Sequence, residues 1–99
     1  MKDKEEIKPI SFQIQIDEQV AQGIYSNMAV VQHSNSEFVL DFIFMNPGQP
    51  AAKVRSRIIM SPEHAKRLQK ALAENVGRFE KKFGEIKFYE PPQPDPTVQ

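Results

Sequence analysis

The chain has 99 residues, and 13 Lys and Arg balance 13 Asp and Glu, so its formal net charge is zero. It contains no Cys and two His, which excludes a disulfide framework, thiol catalysis and Cys-based or His-rich metal sites. The length supports one domain with a modest core. No apolar run approaches the ~18 residues that cross a bilayer, and the first residues lack the apolar core of a secretory signal. We therefore expect a cytoplasmic protein without membrane association.

The zero net charge conceals an uneven distribution. Residues 10–50 contain no Lys or Arg and carry four acidic residues, whereas residues 51–87 contain ten basic residues against four acidic ones. Such an asymmetry predicts either an acidic or nucleic-acid partner, or two halves that neutralise each other when the chain folds.

The first predicted element after a flexible charged arm, residues 1–9, is a strand. Ile10, Phe12, Ile14 and Ile16 alternate with polar residues, a pattern typical of a half-buried strand. A short helical turn at 18–22 and a corner at Gly23 follow. Three further strands are predicted at 24–33, 37–45 and 51–60, separated by turn residues at 34–35 and 46–50.

The helix signal is the strongest in the chain. Ser61 is a favourable N-cap, Pro62 suits the first helical position, and Gly84 suits the C-terminal cap. Between them an apolar stripe runs over about six turns, and it consists of Ala65, Leu68, Leu72, Val76, Phe79 and Phe83. Residues 86–89 are predicted to pack back on the body in an extended conformation. The Pro-rich residues 90–99 are predicted to be a disordered tail.

The predicted fold class is α+β. Residues 10–89 form one domain, a four-stranded antiparallel meander followed by one long C-terminal helix packed on one sheet face, in the order ββββα. If the last two strands pair with residue numbers that sum to 96, Asp41 lies opposite Arg55, and Ile43 lies opposite Lys53. This register leaves open whether Arg55 and Arg57 pair with Asp41 or stay free.

The sheet face away from the helix retains apolar residues that one helix cannot cover. An uncovered apolar patch usually marks an interface, so we expect a homo-oligomer, a dimer packed through this open face, with a further protein partner as an option. A polar Asn27 within an apolar strand would, if buried, need partners from a neighbouring backbone or the helix end. The candidate interaction residues are Tyr25, Asn27, Val39, Asp41, Ile43, Lys53, Arg55, Arg57 and Ile59.

A basic stripe on the last strand supports an alternative function. Lys53, Arg55 and Arg57 could contact phosphates while Tyr25 or Phe88 stacks on bases, as in a single-stranded nucleic-acid-binding module. This alternative depends on whether Arg55 and Arg57 are paired with Asp41 or remain free.

An enzyme is not expected. His33 and His64 have no recognisable catalytic constellation, and Glu37 and Asp41 lie roughly 13 Å apart along a strand, too far for a paired-carboxylate mechanism. The sequence has no phosphate loop, nucleophile elbow or dinucleotide fingerprint. We predict no catalytic residue, cofactor or metal.

Two runs carry a resemblance to a known family. GIYSNMAVVQHSNSEFVLDF (23–42) and KVRSRIIMSPEHAKRLQKALAENV (53–76) resemble a small bacterial domain family without an assigned function, and the resemblance covers about residues 10–84. The predicted element order is also similar to that of the export chaperone SecB, which implies binding of protein partners. A ββββα repeat occurs in PUR-type single-strand nucleic-acid binders as well. We therefore expect a non-enzymatic, oligomeric interaction protein, with nucleic-acid binding as the alternative.

Overall fold

A computed structural model describes residues 9–89 as a three-stranded sheet followed by a long helix. The elements are α1 (Glu18–Ala21), β1 (Met28–His33), β2 (Phe38–Phe44), β3 (Lys53–Met60) and α2 (Pro62–Phe83). The sheet is an antiparallel meander in the order β1-β2-β3. The α+β class and the C-terminal helix are thus confirmed. The predicted arm and the predicted Pro-rich tail lie outside the described residues, apart from Pro9.

The predicted first strand is absent from the sheet. Residues 10–16 form no regular secondary structure, and the large apolar side chains of the segment are largely exposed. Period-two alternation shows that a segment can become a half-buried strand, but a strand also needs a free sheet edge and an apolar surface to pack on. Within this one chain the segment occupies neither. The prediction of four strands is therefore corrected to three for the described residues.

The turn between β1 and β2 is closed by a serine side chain. The Ser34 hydroxyl accepts hydrogen bonds from the backbone N–H groups of Ser36 and Glu37, at 3.2 and 3.3 Å, and Ser34 N–H donates to the Glu37 carbonyl at 2.9 Å. Among the described residues only glycines have positive φ. Asn35 therefore has negative φ, and the side chain of Ser34 closes the predicted turn.

The β2–β3 hairpin has a different register from the predicted one. Its loop contains a turn at residues 46–49, in which Gln49 N–H donates to the Asn46 carbonyl at 3.1 Å and Gly48 has φ 83°. Pro47 followed by Gly48 at positive φ is the signature of a type II turn. The loop then continues through Pro50, which has no N–H for a ladder, so β3 begins only at Lys53. Its pairing with β2 is therefore displaced.

In the expected register, the numbers of two paired residues sum to 96. In the structure they sum to 97 for the pairs beside the loop and to 98 for the pairs farther from it. Phe44 lies opposite Lys53 and Ile43 opposite Val54, whereas Asp41 lies opposite Arg57 and Phe38 opposite Met60. The change of register occurs between Phe42 and Ile43, where β3 inserts one extra residue, Arg55. Such a β-bulge breaks the alternation of one strand while its partner keeps it.

The boundaries of α2 agree with its sequence signals. The Ser61 hydroxyl accepts a hydrogen bond from His64 N–H at 3.2 Å, and Pro62 occupies the first turn. At the other end Gly84 adopts φ 103°, and its N–H donates to the Glu80 carbonyl at 2.9 Å. The predicted helix from Pro62 to Phe83 is confirmed.

The packing of α2 differs from the prediction. We call the sheet face that carries Phe38, Leu40 and Phe42 the inner face, and the opposite one the outer face. Pro62 to Leu72 line a groove against the inner face, yet no residue of the helix is buried. Twenty-two residues make a helix about 33 Å long, and the seven residues of β2 span about 24 Å. The helix is thus too long for this sheet to cover.

The residues after α2 do not pack back on the body as predicted. Ile86 N–H donates to a Glu80 carboxylate oxygen at 3.0 Å, which holds the chain beside the helix end. Phe88 and Tyr89 nevertheless remain exposed. The inner face therefore receives no cover from this segment.

Candidate interaction surface

The centre of the outer face is an ion pair across β2 and β3. Asp41 lies directly opposite Arg57, whose Nε and Nη2 atoms donate to the two carboxylate oxygens at 2.7 and 2.9 Å. Asp41 is 8% exposed, whereas the Arg57 side chain is largely in solvent. The fork of two parallel hydrogen bonds satisfies a buried carboxylate. The question that the sequence left open is thus settled for Arg57, which is paired with Asp41.

This pairing changes the acidity of both groups. The hydrogen bonds from Arg57 lower the pKa of Asp41 below its usual value, burial opposes this effect, and the positive charge of Arg57 adds to it. The same hydrogen bonds and the negative charge of Asp41 raise the pKa of Arg57. Both groups are therefore charged at neutral pH, and the pair favours the folded sheet.

The bulge divides the predicted basic stripe between the two faces. Lys53 lies opposite Phe44 and so shares the inner side, whereas Arg57 lies on the outer face with Asp41, and Arg55 is the extra residue between them. Val54 lies opposite Ile43 on the outer face, whereas a register that sums to 96 would place it opposite Phe42 on the inner one. The predicted pairs Asp41–Arg55 and Ile43–Lys53 are thus wrong, because the insertion of one residue reverses the side of every residue before it.

The outer face has less uncovered apolar surface than the sequence suggests. Ile43 is 9% exposed and Val39 is half-buried, because both lie on the central strand between neighbours of β1 and β3. Ile59 and Val54, on the edge strand, are exposed. The outer face is therefore an ion pair flanked by shielded aliphatic residues, with exposed ones along one edge.

Asn27 extends the ladder between β1 and β2 beyond the last regular pair. Its side-chain amide donates to the Met45 carbonyl at 2.9 Å and accepts from Met45 N–H at 2.8 Å. Its backbone N–H donates to the Ile43 carbonyl at 3.0 Å. Asn27 is exposed, so the burial for which such partners were expected does not occur, and the amide pairs with the backbone at the surface. Nearby, Tyr25 is exposed, and its ring meets Phe44 edge-on with centroids 6.1 Å apart.

The inner face carries two open grooves. The first, which we call the α2 groove, has a volume of about 530 Å³ and lies between the first turns of α2 and residues Val31, Phe38 and Leu40. The second, the α1 groove, has a volume of about 600 Å³. It is lined by Gln19, Val20, Gly23, Ile24, Ser26, Phe42, Ser56 and Ile58. α1 and the first turns of α2 thus lie over different parts of the sheet and leave space beside each.

The apolar stripe of α2 is the large feature that sequence reasoning assigned to the core. Leu72 is 59% and Phe83 66% exposed. At the helix end Phe79 and Phe83 contact each other, with ring centroids 5.0 Å apart, and the Lys82 ammonium lies 5.3 Å from the Phe83 centroid. Periodicity alone shows that a stripe needs cover, not which chain supplies it. The length of the helix relative to the strands is the signal that could have revealed its exposure.

The two histidines make structural contacts in the described part of the chain. His33 stacks on Phe38 with ring centroids 5.4 Å apart, and His64 contributes its backbone N–H to the α2 cap. Within residues 9–89 no three His, Cys, Asp or Glu residues are grouped so that they could hold a metal ion. Across the same residues, no helix combines the length and apolarity that a membrane crossing requires.

Comparisons with known proteins identify a family. A model described as "Protein of unknown function (DUF3467)" matches residues 1–88. The expected resemblance to a small domain family of unknown function is thereby confirmed. Neither the curated proteins nor the solved structures provide a match. The similarity to SecB in element order therefore stays a prediction.

Proposed function

From the premise that this chain belongs to the DUF3467 family, we propose that it is a self-associating protein-interaction domain without catalytic activity. Its principal contact surface is the apolar stripe of α2, and a second copy of the chain supplies the cover. One observation carries this proposal: a capped, six-turn amphipathic helix has no buried residue. Amphipathic helices owe most of their stability to packing of the apolar face.

The core of a single copy supports the same proposal. Among the described residues only Leu40, Ile43 and Asp41 are buried, and Asp41 is an ion. Small domains that lack a sufficient core are usually held by disulfides, a structural metal or oligomerisation. The chain has no Cys, so disulfides are excluded, and association is the route for which the exposed stripe is suited.

The energies involved are of the size that association requires. Full burial of one large apolar side chain contributes about 1.5–3 kcal/mol. The five stripe residues from Leu68 to Phe83 are roughly half-exposed, so covering them in two copies contributes roughly 8–15 kcal/mol. The loss of translational and rotational freedom costs about 4–15 kcal/mol. A dimer covered on these surfaces is therefore energetically reasonable.

This surface differs from the open sheet face that the sequence favoured. The centre of that face is occupied by the Asp41–Arg57 pair, and Ile43 is already shielded by adjacent strands. A second copy on α2 would cover far more exposed apolar area than one placed on this face. The outer face then remains available to another protein partner.

The nucleic-acid alternative has weaker support. A single-strand binder tracks a backbone with several cations on one surface, but the bulge separates Lys53 from Arg57, and Arg57 already binds Asp41. We expect no salt-dependent binding of a single-stranded oligonucleotide. Tight binding at low salt that falls steeply as salt is added would favour the alternative.

Sedimentation equilibrium of paired variants tests the proposed function. Leu72→Glu places a charge in the stripe, and we expect it to weaken the dimer by at least two orders of magnitude, because a buried unpaired carboxylate costs several kcal/mol. Lys70→Gln is the matched control, since it also changes the net charge by one unit and lies about 200° around the helix. Equal dimerisation of both variants, or a monomeric parent chain at tens of micromolar, would overturn the proposal.

A further inference from the structure

Resting on this proposed self-association, we infer that residues 10–16 of one copy add as a strand to the free edge of β1 in the second copy. The apolar side of that strand points to the inner face and fills the α2 groove. The contact is reciprocal, so the interface repeats around a twofold axis. The inference names the segment, the acceptor edge and the groove through which two copies recognise each other.

The donor segment has the pattern of a strand without its partner. Ile10 and Ile14 are 88% and 85% exposed, and Phe12 and Ile16 are also exposed. Their polar neighbours Ser11, Gln13 and Gln15 fall on the opposite side of an extended chain. A segment with one wholly apolar side is suited to a sheet whose inner face has an apolar groove beside its edge strand.

The two edges of the sheet differ in how well they accept a strand. β3 carries Lys53, Arg55 and Arg57 and contains the bulge, and charge and bulges are devices that block edge pairing. β1 reads Met-Ala-Val-Val-Gln-His, without Lys, Arg, Asp, Glu or Pro, and pairs with β2 in unbroken register. The unprotected edge is therefore that of β1, and an unprotected edge binds extended segments through its backbone.

The position of the α2 groove agrees with entry from this edge. Its sheet residues are Val31 of β1 and Phe38 and Leu40 of β2, and no residue of β3 lines it. Its helix residues include Leu68 and Leu72. A strand beside β1 would thus bring its apolar side chains next to Val31 and under the exposed stripe of α2.

We assign the donor to a second copy because residues 10–16 of the same chain lead into α1, which lies against β2 and β3 and not beside β1. Val20 of α1 lines the groove with Phe42, Ser56 and Ile58, which belong to β2 and β3. The two outer strands of such a sheet lie roughly 10 Å apart. To reach β1 within one copy, residues 10–16 would have to cross the inner face instead of running along the edge. A partner's segment can run along the whole edge.

The area buried by this exchange is sufficient for a stable dimer. Each large apolar side chain removes roughly 60–120 Å² of apolar surface from water when fully buried. Four side chains in each copy, together with equal areas on the grooves that they cover, give roughly 1,000–1,900 Å². Stable protein interfaces bury about 1,200–2,000 Å². The strand exchange alone therefore approaches the usual size.

Cysteine crosslinking between two differently tagged chains tests the inference, and the absence of native Cys leaves no competing thiol. One full-length chain carries Val31→Cys, and the other carries Phe12→Cys, Ile14→Cys or Ile16→Cys. After mixing and mild oxidation we expect a mixed-chain disulfide, several-fold more abundant than with the matched control Gln13→Cys. The side chain of the control residue would point to the opposite face, so its Cβ would point away from that of residue 31, whereas a disulfide needs Cβ atoms about 3.5–4.5 Å apart.

Sedimentation of the same samples separates the two proposals. A dimer whose Gln13→Cys variant crosslinks as well as its neighbours would overturn the strand inference and leave self-association intact. A dimer in which Val31→Cys chains crosslink mainly to each other would do the same, because β1 would then pair with β1. An intrachain disulfide in the Ile14→Cys/Val31→Cys double variant would overturn the assignment to a second copy. A monomer would overturn both proposals.

Discussion

Strand β2 and helix α2 are both specified clearly by the sequence, but they differ in what surrounds them. β2 is hydrogen-bonded on both sides, contains all three buried described residues, and its buried acid is paired with Arg57. α2 has its cap and its apolar stripe, yet none of its residues is buried. The strand finds its hydrogen-bonding and packing partners within one chain. The helix has its own hydrogen bonds and caps, but its apolar stripe is not buried.

This contrast separates stabilisation by local hydrogen bonds from stabilisation by burial of an apolar face. Hydrogen bonds of a helix lie within its own segment, so good caps and propensity can define it without neighbours. Cover for its apolar face has to come from another surface. We therefore expect changes in β2 to act on the fold of each copy, and changes in α2 to act on the contact between copies.

The largest expected effect is in β2. Ile43→Ala removes buried methyl groups next to the ion pair and should lower the free energy of unfolding by about 2–5 kcal/mol. Urea denaturation followed by circular dichroism measures it. Leu72→Ala is the contrasting variant, and its cost should grow as protein concentration rises, because the dimer contributes then. If both variants lowered the free energy of unfolding by a similar amount at every protein concentration, the proposed difference between strand and helix would be contradicted.

A smaller effect is expected at the end of the β1–β2 ladder. Asn27→Ala removes both side-chain hydrogen bonds to Met45 and should lower the free energy of unfolding by about 1–3 kcal/mol, because each bond contributes about 0.5–1.5 kcal/mol. Asn27→Asp keeps the acceptor for Met45 N–H but loses the donor, so its loss should be intermediate. Gln32→Ala, on the same strand, serves as the control. An unchanged urea midpoint for Asn27→Ala would show that the pairing contributes nothing.

The smallest effect is expected from the pH dependence of the Asp41–Arg57 pair. The pKa of Asp41 is lowered in the folded chain, so its stabilisation is present above the unfolded pKa of about 3.9 and is lost as pH falls through the folded value. Asp41→Asn should therefore have a lower urea midpoint than the parent at neutral pH. In acid the midpoints of the two proteins should become equal. Equal midpoints at neutral pH would contradict a stabilising pair.

Much of this fold follows from local sequence signals. Ser61, Pro62 and Gly84 mark α2 to the residue, since caps depend on a few neighbouring atoms. The strands in the meander follow from alternation and turn residues, although β1 begins four residues later than expected. The backbone pairing of Asn27 does not follow from burial, because this residue precedes β1 and is exposed.

The remainder depends on packing that local patterns do not encode. The bulge at Arg55 is a feature of strand pairing that the alternation of residues does not indicate, and it places Lys53 and Val54 on the faces opposite to those of the expected register. The stripe of α2 and the alternation of residues 10–16 indicate that cover is needed. Neither pattern states whether that cover is supplied by the same chain or by another.

The molecular mass of the parent chain in solution tests self-association most directly. Sedimentation equilibrium at tens of micromolar should give twice the 11.4 kDa of one chain, and the mass should fall towards that of one chain on dilution. A mass of 11.4 kDa throughout this range would contradict the account, because the stripe of α2 would then remain in water in the functional molecule.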